Sequence, residues 1–191
     1  MNFVDAFSIF IVFTGLGAPL LGFIFSICCP SVFPAPPKIW ALLFVWTIAT
    51  GISSLFLKRM VCRLFPHLEC IKRPRGACDC DIFISDGDQS ERPGFPSGHS
   101  SMVGMYAGIM IFLSIHNLSH YSDNSVSVYQ FLLAIFMSLT LIILNGYARV
   151  EKRCHNWLQV AGGTAWGIFI GAMFVFLHIY PTRGQIISNR I

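Results

Sequence analysis

"PGFPSGHSSMVGMYAGIMIFLSIH", residues 93–116, runs from a tight turn straight into a stretch without a charged residue. Pro96, Ser97 and Gly98 form the turn, and His99 is the titratable side chain at its edge. The uncharged stretch approaches the length of apolar chain, about 20 residues, that a bilayer-spanning helix requires. Comparable blocks occupy 7–29, 39–57, 129–148 and 157–180, so residues 98–116 form one of five. The 191 residues are 54% hydrophobic and 12% charged, with mean hydropathy +0.65. Soluble domains carry about 25% charged residues. These features predict an all-α fold, a polytopic transmembrane helix bundle of about five spans in a single integral membrane domain over residues 1–191. A soluble globular domain is excluded, and no nucleic-acid partner is implied.

Met1–Asp5 lacks a basic segment and the first block is long for a signal peptide, so no cleavable leader is expected. Gly15, Gly17, Pro19 and Gly22 suggest a kinked first span packed against neighbours. Ser100, Gly104 and Gly108 recur every fourth position, as do Gly163, Gly167 and Gly171. Such stripes let helices approach closely in lipid, and here they would fix the distance between the helix starts that carry His99 and His155.

The charge is distributed unevenly. Lys58, Arg59, Arg63, Lys72, Arg73, Arg75 and Arg92 lie in the loop 58–97, and Arg149, Lys152 and Arg153 lie in the short loop after the fourth block. Two spans separate these loops, so both emerge on one membrane face. The loop 117–128 has no Lys or Arg. The positive-inside rule would place the charged face in the cytosol; alternatively, these cations surround an anionic substrate. Cys62, Cys70, Cys78, Cys80 and Cys154 share that face, which hints at disulfides and an oxidising compartment. Free thiols fit the sequence equally well. Endomembrane and plasma membrane remain open, as does the orientation. Asp79, Asp81, Asp86 and Asp88 read as an acidic surface offsetting nearby cations, while His67, His116, His120 and His178 read as loop or interface residues.

The charged face gathers two histidines, His99 and His155, each at a helix start with arginines nearby. That combination suits phosphoryl transfer. Arginines neutralise phosphate oxygens through bidentate hydrogen bonds, and backbone N–H groups at a helix start add donors. A neutral imidazole can then attack phosphorus, while a second protonates the departing oxygen and activates water.

These segments resemble the three motifs of the type-2 phosphatidic acid phosphatase superfamily, which also includes vanadium haloperoxidases. The likeness covers about residues 58–171, within a catalytic core of about 58–180. Arg73-Pro74 resembles the first motif, Pro96-Ser97-Gly98-His99 matches the second, and Arg149 with His155 keeps the spacing of the third. The resemblance implies a metal-independent lipid phosphatase without a cofactor, hydrolysing a lipid phosphate or a polyprenyl or dolichyl diphosphate through a phosphohistidine. It implies His155 as nucleophile, His99 as general acid and base, and Arg73, Arg149, Ser97 and the Gly98 amide as phosphate ligands. Membrane lipids and the lipid phosphate substrate are the partners implied.

Three positions depart from the family pattern. The position of its lysine ahead of Arg-Pro falls on Pro66, so Lys58 or Lys72 would have to substitute; Arg75 and Arg92 rival Arg73 in the same loop. Ala148 replaces a serine, and Gln159 stands where an aspartate would orient His155. Gln159 can still accept from the imidazole, without the charge. The ending His155-Asn156-Trp157-Leu158-Gln159-Val160 is similar to dolichyl-diphosphatase-like members. The span count falls one short of the usual membrane member, which leaves a minimal core or a homodimer completing the bundle. Two other readings are a lipid phosphotransferase and a non-catalytic headgroup-binding protein whose site has decayed.

Overall fold

The computed structural model describes residues 18–22, 24, 27, 37–77, 80, 87–120 and 124–180. Among these residues four long helices stand out, α1 (Pro37–Leu64), α2 (Gly98–His120), α3 (Asn124–Glu151) and α4 (Trp157–His178), with a 3₁₀ turn at Glu69–Ile71. Each of the four contains a segment long and apolar enough to cross a membrane. The chain is a multi-pass integral membrane protein with an all-helical bundle, and among the described residues no strand forms. Of the first predicted span, residues 18–22, 24 and 27 are helical; the rest of 7–29 lies outside the described residues.

The helices start and stop where local chemistry dictates. Pro37 opens α1, in the first turn, where a missing N–H removes no intrahelical bond. Asn156 caps α4, its Oδ1 accepting from Gln159 N, and Ser97 closes the turn into α2 by accepting from Ser101 N at 3.0 Å through its carbonyl. Two helices run further than hydropathy alone suggests. α1 continues past residue 57 to Leu64, carrying Lys58, Arg59 and Arg63, and α3 continues to Glu151, so Arg149 sits on a helix's last turn rather than in a loop. Lys and Arg are good helix formers, and a helix's carbonyl end favours cations; leaving the apolar layer therefore does not end the helix.

The inward face of α1 is polar and its outward face apolar. The buried residues of α1 are Thr47, Thr50 and Ser54, while Ile48, Ile52, Leu55 and Phe56 face outward. In lipid the apolar exterior costs nothing, and small polar residues serve as the contact surface. Thr47 Oγ1 shares a hydrogen bond with Tyr106 OH at 2.9 Å. Trp166 Nε1 donates to Ser53 Oγ at 3.1 Å, and Trp46 Nε1 donates to His178 Nε2 at 3.0 Å.

The most extensive seam joins α2 to α4, and the glycine stripes make it. A Cβ at Gly104 would overlap the Thr164 carbonyl, one at Gly167 the Ser101 carbonyl, and one at Gly171 the Met105 carbonyl. Backbone therefore meets backbone along the two helices that begin beside His99 and His155. Two other histidines lie at interfaces within the bundle, one of the two settings the sequence suggested. His116 is buried, with its ring edge-on to Tyr180, and His178 is bonded within the bundle. Aromatic rings meet both: Tyr180 lies against His116, and Trp46 and Phe174 lie against His178.

Candidate active site

The chain between α1 and α2 folds back over the starts of α2 and α4. Gly94 N and Phe95 N both donate to Ile71 O, at 2.7 and 3.1 Å, and Lys72 forms an antiparallel bridge with Pro93. Ser97 N donates to Gln159 O at 3.0 Å, which fixes the Pro96–His99 turn to the first turn of α4. Gly94 is where this return passes the Gln159 side chain so closely that a Cβ would overlap its amide.

His155 precedes the α4 cap and is almost wholly buried. Its Nδ1 stands 3.0 Å from Gln159 Oε1. The assignment of that amide follows from its other contacts: Gln159 Nε2 donates to Cys70 O at 2.9 Å and to Lys72 O at 2.6 Å. Carbonyls only accept, so the nitrogen faces them and the oxygen faces His155. The imidazole must then carry its proton on Nδ1, which leaves the Nε2 lone pair open. Burial first, then the Lys58 ammonium and the Arg149 guanidinium, push His155 well below the usual imidazole range; the Gln159 bond pulls weakly the other way. His155 is therefore neutral near pH 7.

His99 lies in the first turn of α2, half-buried, within electrostatic reach of Arg149, His155, Lys58 and Arg73. Beside it runs a buried hydroxyl relay. Asn145 Nδ2 donates to Ser100 Oγ at 3.0 Å, and Ser100 Oγ donates to Ser97 Oγ at 3.0 Å. Because the Ser97 oxygen already accepts, its own proton points onward. Asn145 lies one turn before Arg149 on α3, so one helix face serves both groups.

Arg149 is 2% exposed and its Nη2 donates to Cys80 O at 2.7 Å. Cys80 is bridged to Cys154 by a disulfide, so the loop segment that holds Arg149 is covalently joined to the residue before His155. Cys62 and Cys70 are free thiols, the latter exposed. Arg73 is buried, with Nη1 donating to Gln89 Oε1 and its backbone N donating to Arg92 O at 3.0 Å. Arg75 and Arg92 are exposed.

The two candidate lysines part company. Lys72 Nζ turns to Glu91 at 3.1 Å and Glu69 at 3.7 Å, which raise its pKa from the ordinary value, the Glu91 hydrogen bond most. Only its carbonyl meets the site, through Gln159. Lys58, at the outer end of α1, acts on both histidines. Of the acidic run, Asp88 is a solvent-facing turn residue accepting from Ser90 N at 2.9 Å; Asp79, Asp81 and Asp86 lie outside the described residues.

The structure thus gathers His99, His155, Arg73, Arg149, Ser97, Gly98, Gln159 and the Lys58 charge at one end of the bundle, and it turns the Lys72 side chain away. Sequence reasoning missed Asn145 and Gln89, and it placed Cys80 and Cys154 on the charged face with a hint of disulfides but without pairing them. An amide inside an apolar span was a usable signal for Asn145, since polar groups at membrane depth are rarely idle. For Gln89, nothing in its local sequence distinguishes it.

Residues 38–184 match the PAP2 superfamily, well over half of the chain. Over an alignment of 93 positions that covers 46% of the chain, the sequence is 32% identical to the probable lipid phosphate phosphatase 4 of Arabidopsis thaliana. That match covers 27% of the plant protein's length. No solved structure matches. The chain, with its motif histidines and arginines gathered at one end of a membrane bundle, belongs to the PAP2 superfamily.

Proposed function

We propose that this protein is a membrane lipid phosphatase that removes the terminal phosphate of a lipid monophosphate or polyprenyl diphosphate through a phosphohistidine. The observation that carries the reading is the His155–Gln159 contact, which leaves a buried, neutral imidazole with Nε2 unprotonated.

Arg73, Arg149, Lys58, the Ser97 hydroxyl and the Gly98 amide hold the phosphate oxygens. His155 Nε2 attacks phosphorus, and the bond from phosphorus to the leaving oxygen breaks as His99 gives that oxygen its proton. His99 then takes a proton from water, whose oxygen attacks the phosphohistidine. Inorganic phosphate leaves and His155 returns to its neutral state. As His155 gains positive charge in the first step, Gln159 Oε1 accepts a stronger hydrogen bond from Nδ1–H.

The ending from His155 to Val160, with an amide in place of a carboxylate, favours a polyprenyl diphosphate among lipid substrates, since it resembles dolichyl-diphosphatase-like sequences. The name of the plant relative, a probable lipid phosphate phosphatase, supports the wider class. The disulfide favours a side of the membrane: bridges persist in oxidising surroundings, which supports the lumenal or outer face over the cytosolic face that a count of cations would choose.

The test is phosphate release by the purified protein in detergent with chelator present, from phosphatidic acid, lysophosphatidic acid and a polyprenyl diphosphate, beside His99→Ala and His155→Ala. Release that either change abolishes is the expected result. Release undiminished in His155→Ala overturns the mechanism, and phosphate transferred to an added alcohol instead of water would make the protein a phosphotransferase.

A further inference from the structure

Gln89 is a buried polar side chain that the mechanism leaves unused. It is 1% exposed, although it lies between an exposed aspartate and the turn at Ser90–Arg92. Its backbone is fixed on both sides, with Gln89 N donating to Ala77 O at 2.7 Å and Arg92 N donating to Gln89 O at 3.0 Å. The side chain is therefore held in place rather than sampling solvent.

Its amide can be oriented from chemistry alone. Arg73 Nη1 donates to Gln89 Oε1. A guanidinium has no acceptor, so the oxygen must face it and the nitrogen must face elsewhere. That nitrogen, Nε2, is buried and has no acceptor within hydrogen-bonding distance among the described residues. Buried amide donors in folded proteins are nearly always paired, so an orphan calls for an explanation. Both heads of the amide are bonded to one carbon, so the orphan donor sits beside the guanidinium that it helps to seat.

We propose that Gln89 is a substrate-binding residue with two jobs: its Oε1 seats Arg73, and its Nε2 donates to a non-bridging oxygen of the phosphate that Arg73 holds. This rests on the phosphatase reading above. A phosphate oxygen supplies the acceptor that the protein does not, and a charged acceptor makes the stronger bond. Burial does not argue against access. Arg73, Arg149 and His155 are all buried too, so a phosphate that reaches the arginines reaches the amide next to them.

The test uses the full chain in detergent, with orthovanadate as the phosphate-shaped probe. Its binding is read as the rise in melting temperature with vanadate concentration, alongside KM and kcat for phosphatidic acid. Gln89→Met keeps the side chain's length and removes both polar heads. It should weaken vanadate about tenfold, the factor expected for one hydrogen bond to a charged group, and raise KM similarly with a smaller change in kcat. The deciding comparison is Arg73→Met against Arg73→Met with Gln89→Met. If Nε2 binds phosphate itself, the second change weakens vanadate further in the absence of the guanidinium. If Gln89 serves only to seat Arg73, the second change adds nothing, and the proposal falls. Should Gln89→Met fail to fold, Gln89→Glu keeps a partner for Arg73, lacks the donor at neutral pH, and is read by the same vanadate shift; parental vanadate affinity there also overturns the proposal. Vanadate binding without lipid hydrolysis in the parent would sink the phosphatase reading while leaving the Gln89 comparison intact. A parent that neither binds vanadate nor releases phosphate sinks both.

Discussion

His155 Nδ1 and Gln159 Oε1 stand 3.0 Å apart, and the same amide's nitrogen spans the carbonyls of Cys70 and Lys72. An uncharged side chain thereby sets the tautomer that a carboxylate sets in the family pattern. The consequence is a histidine with a fixed tautomer and, in Gln159, only an uncharged partner to raise its basicity.

That difference is visible in a pH profile. The proposed mechanism needs neutral His155, and burial with the Lys58 and Arg149 charges places its pKa well below the ordinary value. The neutral fraction therefore stays nearly complete as pH falls through about 6.5, the usual imidazole value, and kcat/KM should decline only at lower pH. In Gln159→Glu a carboxylate beside Nδ1 stabilises the imidazolium, so the decline should begin at higher pH. The variant also loses the donors to Cys70 O and Lys72 O, costing about 1–3 kcal/mol in stability. An unchanged acid limb would separate Gln159 from the ionisation of His155.

Asn145 is expected to matter although it reaches the turn only through Ser100. In Asn145→Ala the Ser100 hydroxyl loses its donor and becomes free to rotate, so the Ser97 proton is no longer aimed. A fall of about tenfold in kcat/KM, equivalent to ~1.4 kcal/mol, is the expected size, measured on protein whose melting temperature is recorded in parallel. Wild-type kinetics in a folded variant would reduce the relay to packing.

The two lysines give an opposed pair. Lys58→Ala removes the cation with the largest effect on His155 and should raise KM at least about tenfold, as losing a charge-assisted phosphate contact does. Lys72→Ala removes a solvent-screened pairing with Glu91 and Glu69 and should change KM little. Kinetics that rank the two in reverse would overturn the assignment.

The α2–α4 seam is tested by glycines in contrasting settings. Gly167→Ala puts a methyl group into the Ser101 carbonyl, so the helices must part at a cost of about 1–3 kcal/mol, and activity should fall as the histidine spacing changes. Gly51 faces open space in α1, and Gly51→Ala should be neutral or stabilising by about 0.5–1 kcal/mol. Thermal unfolding of both in one detergent makes the comparison.

Reduction of Cys80–Cys154 should inactivate the protein reversibly, because the bridge holds the Cys80 carbonyl against Arg149 and abuts His155. Cys80→Ser with Cys154→Ser should lose about 2–4 kcal/mol, the range usual for a native disulfide, and lose sensitivity to dithiol reductant. The exposed Cys70 thiol reports the side. In sealed endomembrane vesicles a membrane-impermeant maleimide should add a Cys70-dependent label only after the membrane is opened. Labelling of closed vesicles would place the site in the cytosol.

The bundle, and the end of it where the motif histidines and arginines gather, were legible along the chain. Spans are legible because hydropathy accumulates along consecutive residues, and the Pro96–His99 turn and the Arg149–His155 pair are legible because each is local. The glycine stripes announced the α2–α4 seam for the same reason: a helix repeats its faces at fixed intervals. Other features were decided only in three dimensions. Which lysine faces the histidines, which cysteine pairs with Cys154, where the Gln159 amide points and what Gln89 holds all depend on partners far apart in the chain. Gln159 reaches 87 and 89 residues back to its carbonyls, and Arg149 reaches 69 residues back to Cys80. Hydrogen bonds and charge pairs depend on distance and direction in space, and no local pattern records either until the helices have packed.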